Sequence, residues 1–453
     1  MKTAIKPTKK TSIHSTTPSS QTAALLAIEG GVPIRTTPLP WEFPGASFIG
    51  EEELELVTSV VRAHSPFRFY GPHAQHMVDM LEHEWCLAFG HKHALGVASG
   101  TAALSIAISA LNLGPGDEVL VPGYMWVSCV SAVVRAGAIP RLVDIDDSFC
   151  MSPVDLKAKI TPRTRAALCV HMSGAPGHIK EIAILCKKKG LFLIEDCAQA
   201  AGASVEGTPV GRFGDIATFS FQLNKNMTSG EGGMVVCQDE SLFRRIVALH
   251  DLGYPRTPTG RLDTSSEKDQ LWGMGARMAE LPGALALAQL RKLPEITGAM
   301  RKAKWTIRKA LAKTPGITFR NIVDPAGDTG PFLLMLLPDA HKAQRFIDAL
   351  RAEGIAGPPG SLACVTLSEW GMHWYSNIPS LVHKRSNSRD GFPWSHSDNL
   401  FAQDYDYGKG ALPVCDDYQE RGALLTIAST LTDEDVIDII AAVRKVARVV
   451  LAS

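Results

Sequence analysis

The chain has 453 residues, enough for a large domain, a smaller one and an enzyme-sized cleft. Lys+Arg and Asp+Glu both number 46, so the formal charge is zero and no global field favours nucleic acid or a membrane surface; a small-molecule ligand is the default partner. Nine cysteines are scattered without a CxxC pair or a Cys/His cluster at metal spacing, which argues against a metal module or a disulfide framework and for reduced thiols in a cytoplasmic protein.

Residues 1–22, MKTAIKPTKKTSIHSTTPSSQT, carry lysine, Ser/Thr and Pro, no acid and little to bury, and are predicted as a flexible tail. They show no h-region of a signal peptide, and no apolar run in the chain approaches the roughly 20 residues of a membrane helix. From about Ser47 helices and strands alternate. GEEELELVTSVVRA opens with acids suited to a helix N-terminus, and HMVDMLEHEWCLAFG has helical apolar spacing ending at Gly90. Then follow HALGVAS with a helix from Ala102, DEVLVPG with a helix from Val127, IPRLVDID, RAALCVH, LFLIEDC, IATFSF and GGMVVC. Such short, β-branched-rich strands between helical segments predict a mainly parallel sheet covered on both faces, an α/β large domain over residues 23–295. Ligands bind at the ends of strands of this kind. MAELPGALALAQLRKLPEI reads as a long helix interrupted at Pro282. Beyond it, GITFRNIV, FLLMLLP, AHKAQRFIDALRAEGI and LTDEDVIDIIAAVRKVARVV predict a smaller C-terminal α+β domain, residues 296–453, closing on an amphipathic helix. Within it WGMHWYSNIPSLVHKRSNSRDGFPWSHSDNLFAQDY is aromatic, polar and irregular, in the manner of a binding loop.

Five stretches sit at strand ends of the large sheet. ASGTAAL places Ser99, Gly100 and Thr101 between strand and helix, where backbone N–H groups and a hydroxyl suit a phosphate; an ordinary Ser/Thr N-cap explains the same residues. VPGYMWVS presents Tyr124 and Trp126 after a strand, as a cover for a flat ring or as core aromatics. LFLIEDCAQA ends an apolar strand in Glu195 and Asp196, and a carboxylate there is costly without a cationic partner. FSF offers the Ser220 hydroxyl, and QLNKNMTSGEGG places Lys225 on a turn five residues later. Together these parts match pyridoxal phosphate. A lysine amine forms a Schiff base with its aldehyde, an aspartate keeps the pyridine nitrogen protonated, and the ring becomes an electron sink. An ordinary lysine has pKa near 10.4, so this one must be desolvated or lie beside a cation to react.

EDCAQAAGA followed by GDIATFSFQLNKNMTSGEGGMVV resembles the signature of the DegT/DnrJ/EryC1/StrS family of aminotransferases, which act on keto-sugars, cyclitols and related carbonyl compounds. The likeness runs from about Ile28 to the C-terminal helix. It implies the type I aminotransferase fold, pyridoxal 5'-phosphate as cofactor, no metal, and a homodimer with active sites at the subunit interface. It further implies Lys225 as the Schiff-base lysine, Asp196 as partner of the pyridine nitrogen, Gln199 beside the ring hydroxyl and Trp126 stacked on the ring. Thr101, Ala102 through its backbone, and Ser220 match the phosphate positions, with Gly100 beside them, and His171 matches a segment next to the site. One departure stands out: where the family has G-x-N-x-R-M, this chain has GMGARM. Gly275 replaces the asparagine that reaches the partner's cofactor phosphate, leaving a backbone N–H and Arg277 as possible substitutes.

A histidine in place of the lysine marks the family's deoxygenating branch, so Lys225 predicts amino transfer. Glutamate or glutamine is the donor the likeness implies, and a ketone or aldehyde is the acceptor. His171, His373, Trp374 and Tyr375 are candidates for acceptor contacts, with packing against the partner subunit the alternative for the aromatic loop. The segment from Ser368 to Tyr407 is the expected seat of acceptor choice. A catalytically silent member that binds cofactor or nucleotide-sugar as a sensor or structural partner is the rival, and a Rossmann-type binder lacks its G-x-G-x-x-G.

Overall fold

The computed structural model describes residues 25–265, 267 and 270–451, so the predicted tail of residues 1–22 lies outside it. Helices α1 (Glu51–Arg62) and α2 (Met77–Phe89) lead into a seven-stranded sheet. Its strands are β1 (His93–Val97), β2 (Glu118–Pro122), β3 (Ile139–Val143), β4 (Thr164–Val170), β5 (Phe192–Asp196), β8 (Ile216–Ser220) and β9 (Gly233–Cys237). Their order is β1-β9-β8-β5-β4-β2-β3, and a separate two-stranded ribbon pairs β6 (Ser204–Val205) with β7 (Thr208–Pro209). Pairings β2–β3, β2–β4, β4–β5 and β5–β8 are parallel, and β9 alone runs against its neighbours β1 and β8. The connections carry α3 (Gly100–Ala110), α4 (Ser128–Arg135), α5 (Pro153–Lys159), α6 (Ile179–Lys189) and α7 (Glu240–His250). Strands β2, β8 and β9 are buried at every position, the expected consequence of helices on both faces.

Helix starts follow local chemistry. Ser99 Oγ accepts from the Ala102 N–H at the head of α3, and Asp239 caps Leu242 at the head of α7. Each such cap contributes about 1 kcal/mol. The long helix α8 (Glu280–Leu311) is not interrupted at Pro282, which sits in its first turn where a missing N–H costs nothing; the proline inside the helix is Pro294. The first half of α8 packs with α1, α2 and the sheet through Ala284, Leu287 and Leu290, and the second half with the smaller sheet through Met300, Ile307 and Leu311.

That smaller sheet is antiparallel, order β10-β11-β13-β12, from Thr318–Phe319, Phe332–Leu336, Gly422–Thr426 and Cys364–Thr366 respectively. Helices α9 (Ala340–Ala352), α10 (Pro379–Val382), α11 (Pro413–Arg421) and α12 (Asp433–Val450) complete it. A reciprocal capping box between Thr432 and Asp435 starts α12. No helix among the described residues is long and apolar enough to cross a membrane.

Candidate active site

Strand register brings the candidate residues to one end of the large sheet. Val97 and Ser220 both pair with Gly233 of β9, so the head of α3, which follows β1, meets the end of β8. Two glycines allow the approach. A Cβ on Gly233 would lie 2.8 Å from the Ser99 carbonyl group, and one on Gly100 would lie 2.7 Å from Ser220 Cβ. The first N–H groups of a helix lack intrahelical partners, so Gly100 and Thr101 present donors here beside the Ser220 hydroxyl, a cradle suited to an anion. Ala102 differs from expectation. Its N–H is already taken by Ser99 Oγ at 3.1 Å, so the cap and the phosphate position fall on one strand-to-helix turn, with the cap holding this N–H. Thr101 is exposed, its Oγ1 2.7 Å from Ser128 Oγ.

Glu195 and Asp196 end β5 and, by strand alternation, face opposite ways. Glu195 accepts from Gly211, Phe213 and Gly214 N–H groups and lies 2.9 Å from His171 Nε2. Burial would raise its pKa, but the His171 contact and these N–H groups outweigh burial and hold the carboxyl below its usual range. Asp196 is equally buried but poorer in partners: Oδ1 accepts from Ala198 N at 3.0 Å and Oδ2 from Cys129 Sγ at 3.2 Å. Burial therefore wins and pushes its pKa up, against Ala198, Cys129, Lys225 and His171. Neighbouring acids are thus driven apart, one satisfied and one awaiting a cation. Cys129, in the first turn of α4, escaped the sequence reading; burial and the Asp196 carboxylate push its thiol well up, so it stays a protonated donor.

Lys225 is half-buried on a turn closed by its N–H on the Gln222 carbonyl at 3.0 Å and by Gly45 N–H on its own carbonyl at 3.2 Å. Buried Asn226 donates to the Ala201 carbonyl and fixes the loop from below. Desolvation lowers the Lys225 pKa, with Asp196 first among the groups opposing it. A larger share of neutral amine at neutral pH is the consequence.

Gln199, Trp126 and His373 converge beside this pair. Ser173 N–H donates to Gln199 Oε1 at 2.8 Å, which orients the amide so that Nε2 faces His373 Nε2 at 3.4 Å. His373 Nδ1 lies 2.8 Å from the Trp370 carbonyl, which can only accept, so Nδ1 carries the proton and Nε2 is an acceptor. Burial lowers the His373 pKa to about 4, assisted by the Lys225 charge and opposed by the Trp370 carbonyl. The imidazole stacks on Trp370 and tilts over Trp126, ring centroids 4.8 and 4.9 Å apart. Trp126 itself is 41% exposed, an open aromatic face at the site.

Three expected acceptor contacts are otherwise engaged. His171 is 1% exposed and its Nε2 is committed to Glu195. Trp374 and Tyr375 are fully buried, the indole N–H on the Leu367 carbonyl and the phenol on Asp416 at 2.9 Å. Trp374 bridges Tyr124, and Tyr375 N–H donates to the Gly123 carbonyl, which docks the aromatic loop on the extension of β2. The rest of the segment leaves the site. Asn399 bonds Gly116 N and the Gly137 carbonyl, and Tyr407 the Pro140 carbonyl, all at the opposite ends of β2 and β3. Within one chain, the first turns of Ser368–Tyr407 lie beside Gln199 and Trp126, and its later residues lie at the far ends of β2 and β3. At Gly275 the N–H donates to the Asp251 carbonyl at 2.7 Å, and Arg277 pairs with the Asp251 carboxylate, so both substitutes for the missing asparagine are already bonded.

The donor set fits pyridoxal phosphate. A desolvated lysine opposes a buried carboxylate whose raised pKa a ring cation would relieve, and a glycine-lined helix head with a serine hydroxyl suits the phosphate.

Comparison with known proteins agrees. The DegT/DnrJ/EryC1/StrS aminotransferase family matches residues 48–359. An L-glutamine:2-deoxy-scyllo-inosose aminotransferase of Streptoalloteichus tenebrarius is 33% identical over 442 residues, covering 93% of this chain and 97% of that protein. A GDP-perosamine synthase of Vibrio cholerae is 38% identical over 239 residues, 52% of this chain and 63% of that protein. Among solved structures, an aminotransferase from Psychrobacter cryohalolentis superposes with TM-score 0.72 at 26% identity, covering 89% of this chain and 97% of that one.

Proposed function

The chain belongs to the DegT/DnrJ/EryC1/StrS aminotransferase family, and from that premise we propose that it aminates a keto-cyclitol or related keto-sugar with L-glutamine or L-glutamate as donor. The observation that carries the reading is Lys225, desolvated and opposed by the buried Asp196 carboxylate. The near full-length likeness to a glutamine:inosose aminotransferase favours a cyclitol ketone and glutamine over the other members of each class.

Bound pyridoxal phosphate supplies the electron sink that stabilises a carbanion next to the transferred nitrogen. Asp196 would keep the ring nitrogen protonated, Gly100, Thr101 and Ser220 would receive the phosphate, Trp126 would cover the ring face and Gln199 would meet the ring hydroxyl. Lys225 Nζ would take a proton from the donor's α-carbon, carry it as an ammonium, and in the second half-reaction deliver a proton to the acceptor's former carbonyl carbon. His373 Nε2 is proposed to exchange its long 3.4 Å contact with the Gln199 amide for a hydrogen bond from an acceptor hydroxyl, a role suited to a polyol and open to the imidazole because it is neutral above about pH 4.

A panel of keto acceptors offered to the aminated enzyme tests the substrate class. Keto-cyclitols are expected to be consumed, and consumption of nucleotide-linked ketosugars alone would overturn the cyclitol reading. In the same panel His373→Leu is expected to raise the acceptor KM about tenfold, as loss of one buried hydrogen bond does, with the donor half-reaction unchanged. With a folded pKa near 4, His373 is deprotonated throughout the neutral range, so acceptor kcat/KM is expected to lose its contribution only as pH falls towards 4. A fall centred on the ordinary histidine pKa of about 6.5 would contradict the assignment.

The enzyme is further proposed to be a cytoplasmic homodimer. All nine cysteines are free, as a reducing compartment requires, and Leu223, two residues before Lys225, leaves 40% of its surface open for a second copy to cover. Sedimentation at the mass of a single chain would exclude the dimer.

A further inference from the structure

We propose that Arg320 is a positioning residue for Gln199, acting through a turn that the C-terminal domain clamps; this rests on the pyridoxal phosphate reading above. The turn, Met172–Ala175, follows β4. Ser173 and Gly174 both take left-handed backbone, φ 59° and 79°, and a serine keeps that conformation only where its surroundings enforce it.

The enforcement comes from the loop between β10 and β11. Arg320 Nη1 donates to the Met172 carbonyl at 2.7 Å and Nη2 to the Ala175 carbonyl at 2.7 Å. Its Nε donates to the Ser148 carbonyl at 2.6 Å, and Nη2 also lies 3.4 Å from Cys150 Sγ. The carbonyl between them, on Gly174, accepts from Thr329 N at 3.0 Å and Thr329 Oγ1 at 2.9 Å. Packing leaves no slack, because a Cβ on Gly174 would lie 2.4 Å from Pro331 Cδ and 2.5 Å from Thr329 Oγ1. Arg320 is 3% exposed, and its guanidinium rests on carbonyls and a thiol. Burying a cation this way is an expensive means of mere cohesion, which apolar side chains supply more cheaply. What it secures is direction: three donors in a rigid fork fix two carbonyls of the turn relative to a third segment.

The turn in its fixed form delivers the Ser173 N–H to Gln199 Oε1 at 2.8 Å. Without it the Gln199 amide keeps only the long 3.4 Å contact to His373, and the group that should meet the ring hydroxyl is no longer held firmly in one orientation. Arg320 thereby joins the C-terminal domain to the cofactor's binding face without touching either reactant.

A double-mutant cycle on full-length protein, stripped of cofactor and titrated back with pyridoxal phosphate, tests this. Arg320→Lys keeps the charge but loses the fork. It and Gln199→Ala are each expected to weaken cofactor binding about fivefold to tenfold, the value of one or two hydrogen bonds. The double variant is expected to bind no more weakly than the worse single variant by more than about twofold. A purely structural role for Arg320 would multiply the two losses, and that result, or unchanged affinity in Arg320→Lys, overturns the clamp. Should Arg320→Lys fail to fold, Thr329→Val, which removes one bond to the Gly174 carbonyl, takes its place in the cycle under the same criteria. Wild-type protein that takes up no pyridoxal phosphate would overturn the cofactor reading itself; uptake with multiplicative losses overturns the clamp alone.

Discussion

Lys225→Ala is expected to lower transamination by at least about 10⁴-fold, the combined loss of a covalent anchor and of a positioned base. The fold should survive it. What ties the Lys225 loop down is backbone and neighbours: the Gln222 carbonyl, the Gly45 N–H and the Asn226 amide on Ala201, none of which involves the amine. The amine is a cost in the cofactor-free protein, since desolvation lowers its folded pKa below the ordinary value. Sign follows directly: a base with a depressed folded pKa contributes stability that is lost as pH falls through that pKa, so at neutral pH the charged lysine weakens the fold. Thermal unfolding of the cofactor-free variant at neutral pH is therefore expected at or above the wild-type temperature. Borohydride treatment of loaded wild-type protein should fix the cofactor's mass on the peptide containing Lys225, and the variant should gain none. Activity within about 100-fold of wild type, or label on another lysine, would remove Lys225 from the centre of the mechanism.

How much of this was legible beforehand differs residue by residue. The parallel sheet and its strand ends could be read because each strand is short, apolar and punctuated by polar turns. The meeting of α3 with Ser220 could not, since it depends on both Val97 and Ser220 pairing with Gly233, a register that no local pattern encodes. Within EDC the two acids looked equivalent. Only the three-dimensional count of donors, four on Glu195 against two on Asp196, separates a satisfied carboxylate from a poised one. The aromatic loop was visible as a loop, but its short turns place His373 beside Gln199 and bury both Trp374 and Tyr375, and composition is blind to that choice. Pro282 read as an interruption because a proline's position relative to a helix start decides its effect. Arg320 left no signal at all: in GITFRNIV it resembles a surface arginine, and its partners are backbone carbonyls more than 140 residues away, which carry no residue type.

Asp196→Asn is expected to separate catalysis from stability, and in opposite directions. Asparagine preserves the volume and an oxygen for the Ala198 N–H, so the strand end keeps its geometry. It removes the charge that would pair with a protonated ring nitrogen, and its amide favours the unprotonated nitrogen instead. A buried ion pair that loses one partner costs about 3–5 kcal/mol, so kcat is expected to fall about 10²–10⁴-fold while cofactor still binds through Lys225 and the phosphate cradle. The cofactor-free protein should respond the other way. Burial raises the folded pKa of Asp196, so the stability linked to its proton is present below the unfolded pKa and lost as pH rises through the folded one. At neutral pH the ionised carboxylate is then a net strain on the cofactor-free fold, and asparagine removes it. Unfolding of the cofactor-free variant is expected at the wild-type temperature or higher, as for a site that trades stability for function. Cys129→Ala serves as the contrasting case: it deletes the thiol's hydrogen bond to Oδ2 but leaves the charge, so only a small loss in kcat is expected, of the order of tenfold or less. If Asp196→Asn and Cys129→Ala lost activity equally, the charge of Asp196 would not be what the reaction uses, and the assignment of the ring-nitrogen partner would have to move elsewhere in the site.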